Sequence, residues 1–135
     1  MKAEQKTGKR VFVVLLGIQA ALELVIGITL LFSFSTALES GFGITYSSEL
    51  DILGLALGLY LLLLTALLVL SMIWTIKGNN SGTTLGILLG VFLFTFGIAT
   101  FIKFGDTQAL YVDGLRGLIT IIFAVMARKE LKRQN

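Results

Sequence analysis

An all-α fold, a four-transmembrane-helix antiparallel bundle with both termini cytoplasmic, follows from three features of this 135-residue chain. They are four long apolar stretches, short polar linkers between them, and an uneven placement of Lys and Arg. Hydrophobic residues make up 56% and charged residues 14%, with a mean hydropathy of +0.92. A soluble domain averages roughly half apolar and a quarter charged residues, so hydrocarbon is the better solvent for this sequence. The chain has neither Cys nor His, which removes disulfides, thiolate nucleophiles, imidazole bases and the usual zinc and haem ligand sets.

Crossing about 30 Å of hydrocarbon takes roughly 20 residues at about 1.5 Å each. Four segments qualify: residues 11–34, 52–76, 84–102 and 109–127. The first follows Lys2, Lys6, Lys9 and Arg10, as the h-region of a signal peptide would, but it exceeds the ~7 to 15 residues of an h-region and is read as a retained helix. The second has no charge. The linker at 77–82, Lys-Gly-Asn-Asn-Ser-Gly, is a tight polar turn that joins the second and third segments as a hairpin. No stretch is left for a soluble domain, so residues 1–135 form a single integral membrane domain.

Of the eleven Lys and Arg, nine lie before the first segment, at Lys77, or in the final cluster of Arg128, Lys129, Lys132 and Arg133. The loop at 35–51 instead carries Glu39, Glu49 and Asp51. Basic residues stay in the cytoplasm, which puts both termini inside. Trp74 falls at the inner boundary, and Phe42, Tyr46 and Tyr111 fall near the outer one. The basic clusters are orientation signals that also suit anionic lipid, and nucleic acid is not expected.

Helices in lipid associate through small residues and polar contacts. Gly54 and Gly58 form a G-x-x-x-G pair in the second segment and Gly86 and Gly90 another in the third, with Gly97 continuing that face. Packing within the chain is the expectation for these surfaces, since four helices supply partners for one another. There is no Pro, so Pro-broken helices are absent.

The candidate ligand- or proton-binding residues are Glu23, Gln19, Asp113 and Arg116. Glu23 is an ionisable residue at bilayer depth, which costs roughly 2.5 to 3.5 kcal/mol on insertion scales. Gln19 and Glu23 are four apart, and Gly27 and Leu30 continue their stripe. Asp113, Arg116, Gly117 and Thr120 share one face of the fourth helix. The two stripes are expected to meet: Glu23 lies roughly 18 Å above residue 11 and Arg116 roughly 10 Å below residue 109. Side chains lean towards their own helix N-terminus, which makes Asp113 the nearer partner of Arg116. Asp51 and Lys103 are placed at the mouth of the pocket, with Asp106 as a solvated helix-end acid. Two readings of Glu23 stay open. Paired with Arg116 and Gln19 it fixes helix packing; facing a pocket it exchanges protons or holds a cationic or hydroxyl-bearing ligand.

Residues 48–58, Ser-Glu-Leu-Asp-Ile-Leu-Gly-Leu-Ala-Leu-Gly, together with a polar end to the third helix and an Asp-Gly pair, resemble small four-helix bacterial membrane proteins of the DoxX-like and DUF4345 type. That resemblance spans the chain and implies a fold. Where those families often carry an arginine after a third-helix glycine, this chain has Lys103 after Gly97. Separately, residues 21–29, Ala-Leu-Glu-Leu-Val-Ile-Gly-Ile-Thr, look similar to the first helix of small multidrug resistance exporters, where one membrane glutamate binds both protons and cationic drugs. The later helices lack that family's Gly, Pro and Trp pattern, so the implication extends to Glu23 alone.

The expected function is to bind or transport a small hydrophobic, cationic or lipid-like ligand, with a proton link. The alternative is an accessory subunit that packs its glycine faces and apolar exterior on a larger membrane complex. Catalysis comes third, because no nucleophile, metal set or cofactor motif accompanies the carboxylates. Partners are then membrane lipids, a hydrophobic small molecule, and a second copy or a larger complex; no cofactor or metal is expected.

Overall fold

A computed structural model describes the backbone at residues 7–42 and 48–134 and the side chains at 7–33 and 51–133. The side chains of Lys2, Lys6, Glu39, Phe42, Tyr46 and Glu49 lie outside the described residues. The elements are α1 (Thr7–Phe42), α2 (Ser48–Ile76), α3 (Asn80–Phe104), the single turn α4 (Thr107–Ala109), a π-helical segment (Leu110–Leu115) and α5 (Arg116–Gln134). No strand occurs among the described residues. Four helical stretches are long and apolar enough to span a membrane: Thr7–Ser33, Asp51–Ile76, Asn80–Phe104 and Thr107–Arg133. The last is the least apolar because it carries Asp113 and Arg116.

The helices outrun the apolar segments that announce them. The first starts at Thr7, ahead of residue 11; the third starts at Asn80, ahead of residue 84; the last runs to Gln134, beyond residue 127. Hydropathy marks the hydrocarbon, whereas a helix continues until a cap or a turn residue stops it. At the hairpin, Gly78 adopts a left-handed φ of 79° and the Asn79 side chain accepts from the Ser81 N–H at 2.9 Å, capping α3. Gly105, with φ 68°, ends α3 as its N–H donates to the Phe101 carbonyl at 2.8 Å. Asp106 then caps α4 by accepting from the Gln108 N–H at 2.9 Å. Within α1 the backbone kinks at Ser33 (φ −136°), where the span ends.

Each long helix buries one stripe at spacings of three and four. In α1 the stripe is Gly8, Phe12, Leu16, Gln19, Glu23 and Gly27; in α5 it is Gly117, Thr120, Ala124, Ala127 and Leu131. The opposite faces expose Leu, Ile, Val and Phe, as lipid-facing surfaces do.

The residues cluster into two compact units. One comprises Met1–Gly17 with Leu68–Asn135, the other Ile18–Leu67. In the first, α3 and α5 approach to backbone contact. A Cβ at Gly117 would strike the Phe94 N and Gly90 O, and one at Gly97 would strike the backbone of Gly114 and Ala109. A Cβ at Gly86 would meet the Phe12 ring. Hydroxyls reinforce this packing: Ser71 Oγ, fully buried, donates to the Gly82 carbonyl across the hairpin at 2.7 Å. In the second unit Gly27 and Gly58 face one another. A Cβ at Gly27 would lie 3.4 Å from the Gly58 O, and one at Gly58 would lie 2.6 Å from Leu31 Cγ. The glycine faces expected to pack within the chain do so at Gly58, Gly86, Gly90 and Gly97, as small-residue interfaces in lipid require.

Candidate functional site

Gln19 and Glu23 sit one turn apart in α1, both buried at 3% exposure, on the stripe that Gly27 continues. The helix itself dictates this, because a spacing of four stacks two side chains on one face. Glu23 lies roughly 24 Å along the axis from Thr7 and roughly 15 Å from the kink at Ser33, near the middle of its span. A carboxylate and a carboxamide are thus held together at hydrocarbon depth and turned away from lipid. Leu30, expected to extend the stripe, is half-buried.

Asp113 and Arg116 belong to the other compact unit. Arg116 Nη2 donates to Asp113 Oδ1 at 3.1 Å, the i to i+3 contact that their spacing predicts, and both side chains are about one-fifth exposed. Pairing opposite charges reduces what either would cost alone in the bilayer. Thr120, on the same face and fully buried, returns its hydroxyl to the Arg116 carbonyl at 2.8 Å. Asp113 lies inside the π-helical segment, a feature with no sequence signal. Such wide turns occur mostly as local bulges and often at functional positions. This one is braced where Gly97 abuts the Gly114 backbone. A shallow open groove of about 230 Å³ runs beside it, lined by Phe94, Leu110, Tyr111, Gly114, Leu115 and Leu118. The groove is apolar and includes none of the four expected site residues.

Of the residues placed at the mouth of the pocket, Asp51 and Lys103 are both exposed. Lys103 Nζ stands 5.7 Å from the centroid of the Phe104 ring, also exposed, a contact that shields a cation at the edge of the hydrocarbon. Asp106 is an exposed helix cap, and Tyr111 is 67% exposed. Among the described residues no group of three or more acidic side chains gathers as a metal site would need.

Sequence reasoning passed over Glu130. Its carboxylate accepts from the backbone N–H groups of Gly8 and Lys9, at 2.8 and 2.9 Å, so the last helix caps the first. The first N–H groups of a helix have no intrahelical acceptors and carry the positive end of its dipole, which makes a carboxylate the fitting partner. Lys9 Nζ in turn donates to the Ile76 carbonyl at the end of α2, at 3.2 Å. In a run of Arg and Lys, Glu130 reads as a solvated counter-charge. The available signal was its position beside Ala127 and Leu131 on the buried face of α5.

These features define a membrane protein with four helices of spanning length, an amide–carboxylate pair buried in the first and an internal ion pair in the last. Comparison with protein-family models, with curated proteins and with solved structures gives no match.

Proposed function

We propose that this protein binds or transports a small hydrophobic cation or lipid-like molecule, with Glu23 as the ligand- and proton-binding group and Gln19 as its hydrogen-bonding neighbour. The observation that carries the reading is the burial of both side chains, one turn apart, at mid-span. An ionisable residue at that depth is costly, and function is the usual reason for keeping one. Asp113 and Arg116 contribute to the same function in this reading, and Asp51 and Lys103 influence how a charged ligand enters. The packing of the glycine faces against other helices of the same chain supports this proposal over an accessory subunit, since it occupies surfaces a larger complex would use. The proposal includes an antiparallel four-helix bundle of the DoxX-like type in a bacterial cytoplasmic membrane, with both termini inside.

The test is binding of tetraphenylphosphonium to purified protein across a pH series, for the parent and for Glu23→Gln. The parent should bind more tightly as pH rises, because proton and cation compete for one carboxylate. Glu23→Gln should bind roughly tenfold or more weakly and without pH dependence. Unchanged binding combined with a lower unfolding temperature would make Glu23 a packing strut, and copurification of a larger complex at fixed stoichiometry would favour the subunit. Labelling of Ser40→Cys from outside and of Asn79→Cys from inside checks the orientation.

A further inference from the structure

We propose that the end of the Met1–Gly17 and Leu68–Asn135 unit where α1 and α3 begin and α2 and α5 finish is a docking surface for anionic phospholipid headgroups. Three basic sets, far apart in sequence, converge there: Lys9 with Arg10, Lys77, and the cluster from Arg128 to Arg133. Two contacts fix the convergence. Glu130 of the last set accepts from the Gly8 and Lys9 N–H groups, and Lys9 Nζ reaches the carbonyl of Ile76, the residue before Lys77.

Of these residues Arg10, Lys77, Lys129, Lys132 and Arg133 are exposed. Glu130 is the one acid at this end among the described residues, and both its oxygens are directed to the α1 backbone. The remaining field is strongly positive.

The depth of the charges selects lipid over a soluble polyanion. Arg10 directly precedes Val11, which opens the exposed apolar face of α1, and Lys77 directly follows the exposed Ile76 at the end of the second span. The cations therefore ring the rim of the hydrocarbon, at the level where phosphates of the same leaflet lie. Attraction between polybasic segments and anionic lipid adds over residues and decays within about 8 to 10 Å at physiological salt, which favours a headgroup beside the ring. The inference does not depend on the function proposed for Glu23 or on which side of the membrane this end faces.

Trp74, the only tryptophan in the chain, lies one turn before Lys77 and reports on this end directly. The protein is placed in phosphatidylcholine vesicles containing a minor fraction of phosphatidylglycerol, and either one lipid or the other is brominated near the top of its chains. Brominated phosphatidylglycerol should quench Trp74 as though enriched on the order of fivefold over its bulk fraction. The combined variant Lys129→Gln, Lys132→Gln and Arg133→Gln should lose most of that enrichment while keeping its helical circular dichroism. If that variant does not fold, Lys77→Gln alone should give a smaller loss in the same direction.

Quenching in proportion to bulk composition for the parent protein would overturn the proposal, as would enrichment that survives in the folded variants. Inorganic phosphate and chloride are compared at equal ionic strength. Equal displacement is expected; selective displacement by phosphate would mark a site for free phosphate and sink the lipid assignment.

Discussion

The two compact units differ in the neighbours that their glycines and some of their hydroxyls meet. In the unit of Met1–Gly17 and Leu68–Asn135, polar groups cross from helix to helix: Glu130 to the start of α1, Lys9 to the end of α2, and Ser71 to Gly82. Its glycines at 97 and 117 lie backbone against backbone, and Gly86 lies against the Phe12 ring. In the Ile18–Leu67 unit, the Thr29 and Thr65 hydroxyls turn back on their own helices, to the carbonyls of Val25 and Leu61 at 2.8 and 2.9 Å. The Gly58 contacts there are with the Leu31 side chain and with the Gly27 carbonyl. Glu23, an ionisable residue buried at mid-span, belongs to this second unit. Crossing hydrogen bonds tie the first unit together through groups that cannot shift independently.

The sharpest contrast lies between two glycines. Gly117→Ala pushes a methyl group into the backbone of α3, which no rotamer change relieves, and should destabilise by about 2 to 3 kcal/mol. Gly58→Ala meets the Leu31 side chain, which can rotate away, and the Gly27 carbonyl at 3.1 Å, which must give by a little, and should cost about 1 kcal/mol, less than Gly117→Ala. Unfolding in a mild detergent measures both. Equal losses would break the comparison.

Next in size, Glu130→Ala strips α1 of both acceptors and should cost about 1 to 3 kcal/mol. Glu130→Gln retains a neutral acceptor and should lose less. Amide exchange at Gly8 and Lys9 should accelerate in both variants, more so in the first.

The smallest pair concerns hydroxyls. Ser71→Ala removes a bond between helices, worth about 0.6 kcal/mol by analogy with measured membrane contacts. Thr65→Val removes a bond within one helix turn and should change stability by less than about 0.3 kcal/mol. A larger loss for Thr65→Val would mean that hydroxyl bonds within a helix matter as much as those crossing it.

Much of this fold is legible in the sequence, because hydrocarbon thickness imposes a length that apolar runs such as 52–76 display openly. The hairpin was legible because Gly78 and Asn79 are the residues such a turn requires. The pairing of Arg116 with Asp113 followed from helical spacing. The helix ends are less legible: capping by Glu130 and Asn79 starts α1 and α3 ahead of the apolar residues, and hydropathy does not register caps. The π-helical segment left no trace, since Leu-Tyr-Val-Asp-Gly-Leu would suit an ordinary helix equally well and the backbone of Gly97 that braces it is remote in sequence. At the candidate site, burial of Gln19 and Glu23 could be foreseen from the stripe they share with Gly27. Glu130 is hard to read from sequence because it stands among lysines and arginines, although its place beside Ala127 and Leu131 puts it next to the buried face of the last helix.

The central claim is that Glu23 exchanges a proton for a bound cation. Infrared difference spectra of the protein in lipid, recorded with and without tetraphenylphosphonium for the parent and for Glu23→Gln, observe that carboxyl group directly. The account predicts a protonated carboxyl band that disappears when the cation binds and is missing from the variant. A carboxyl signal indifferent to the cation, or identical in the two proteins, would contradict it.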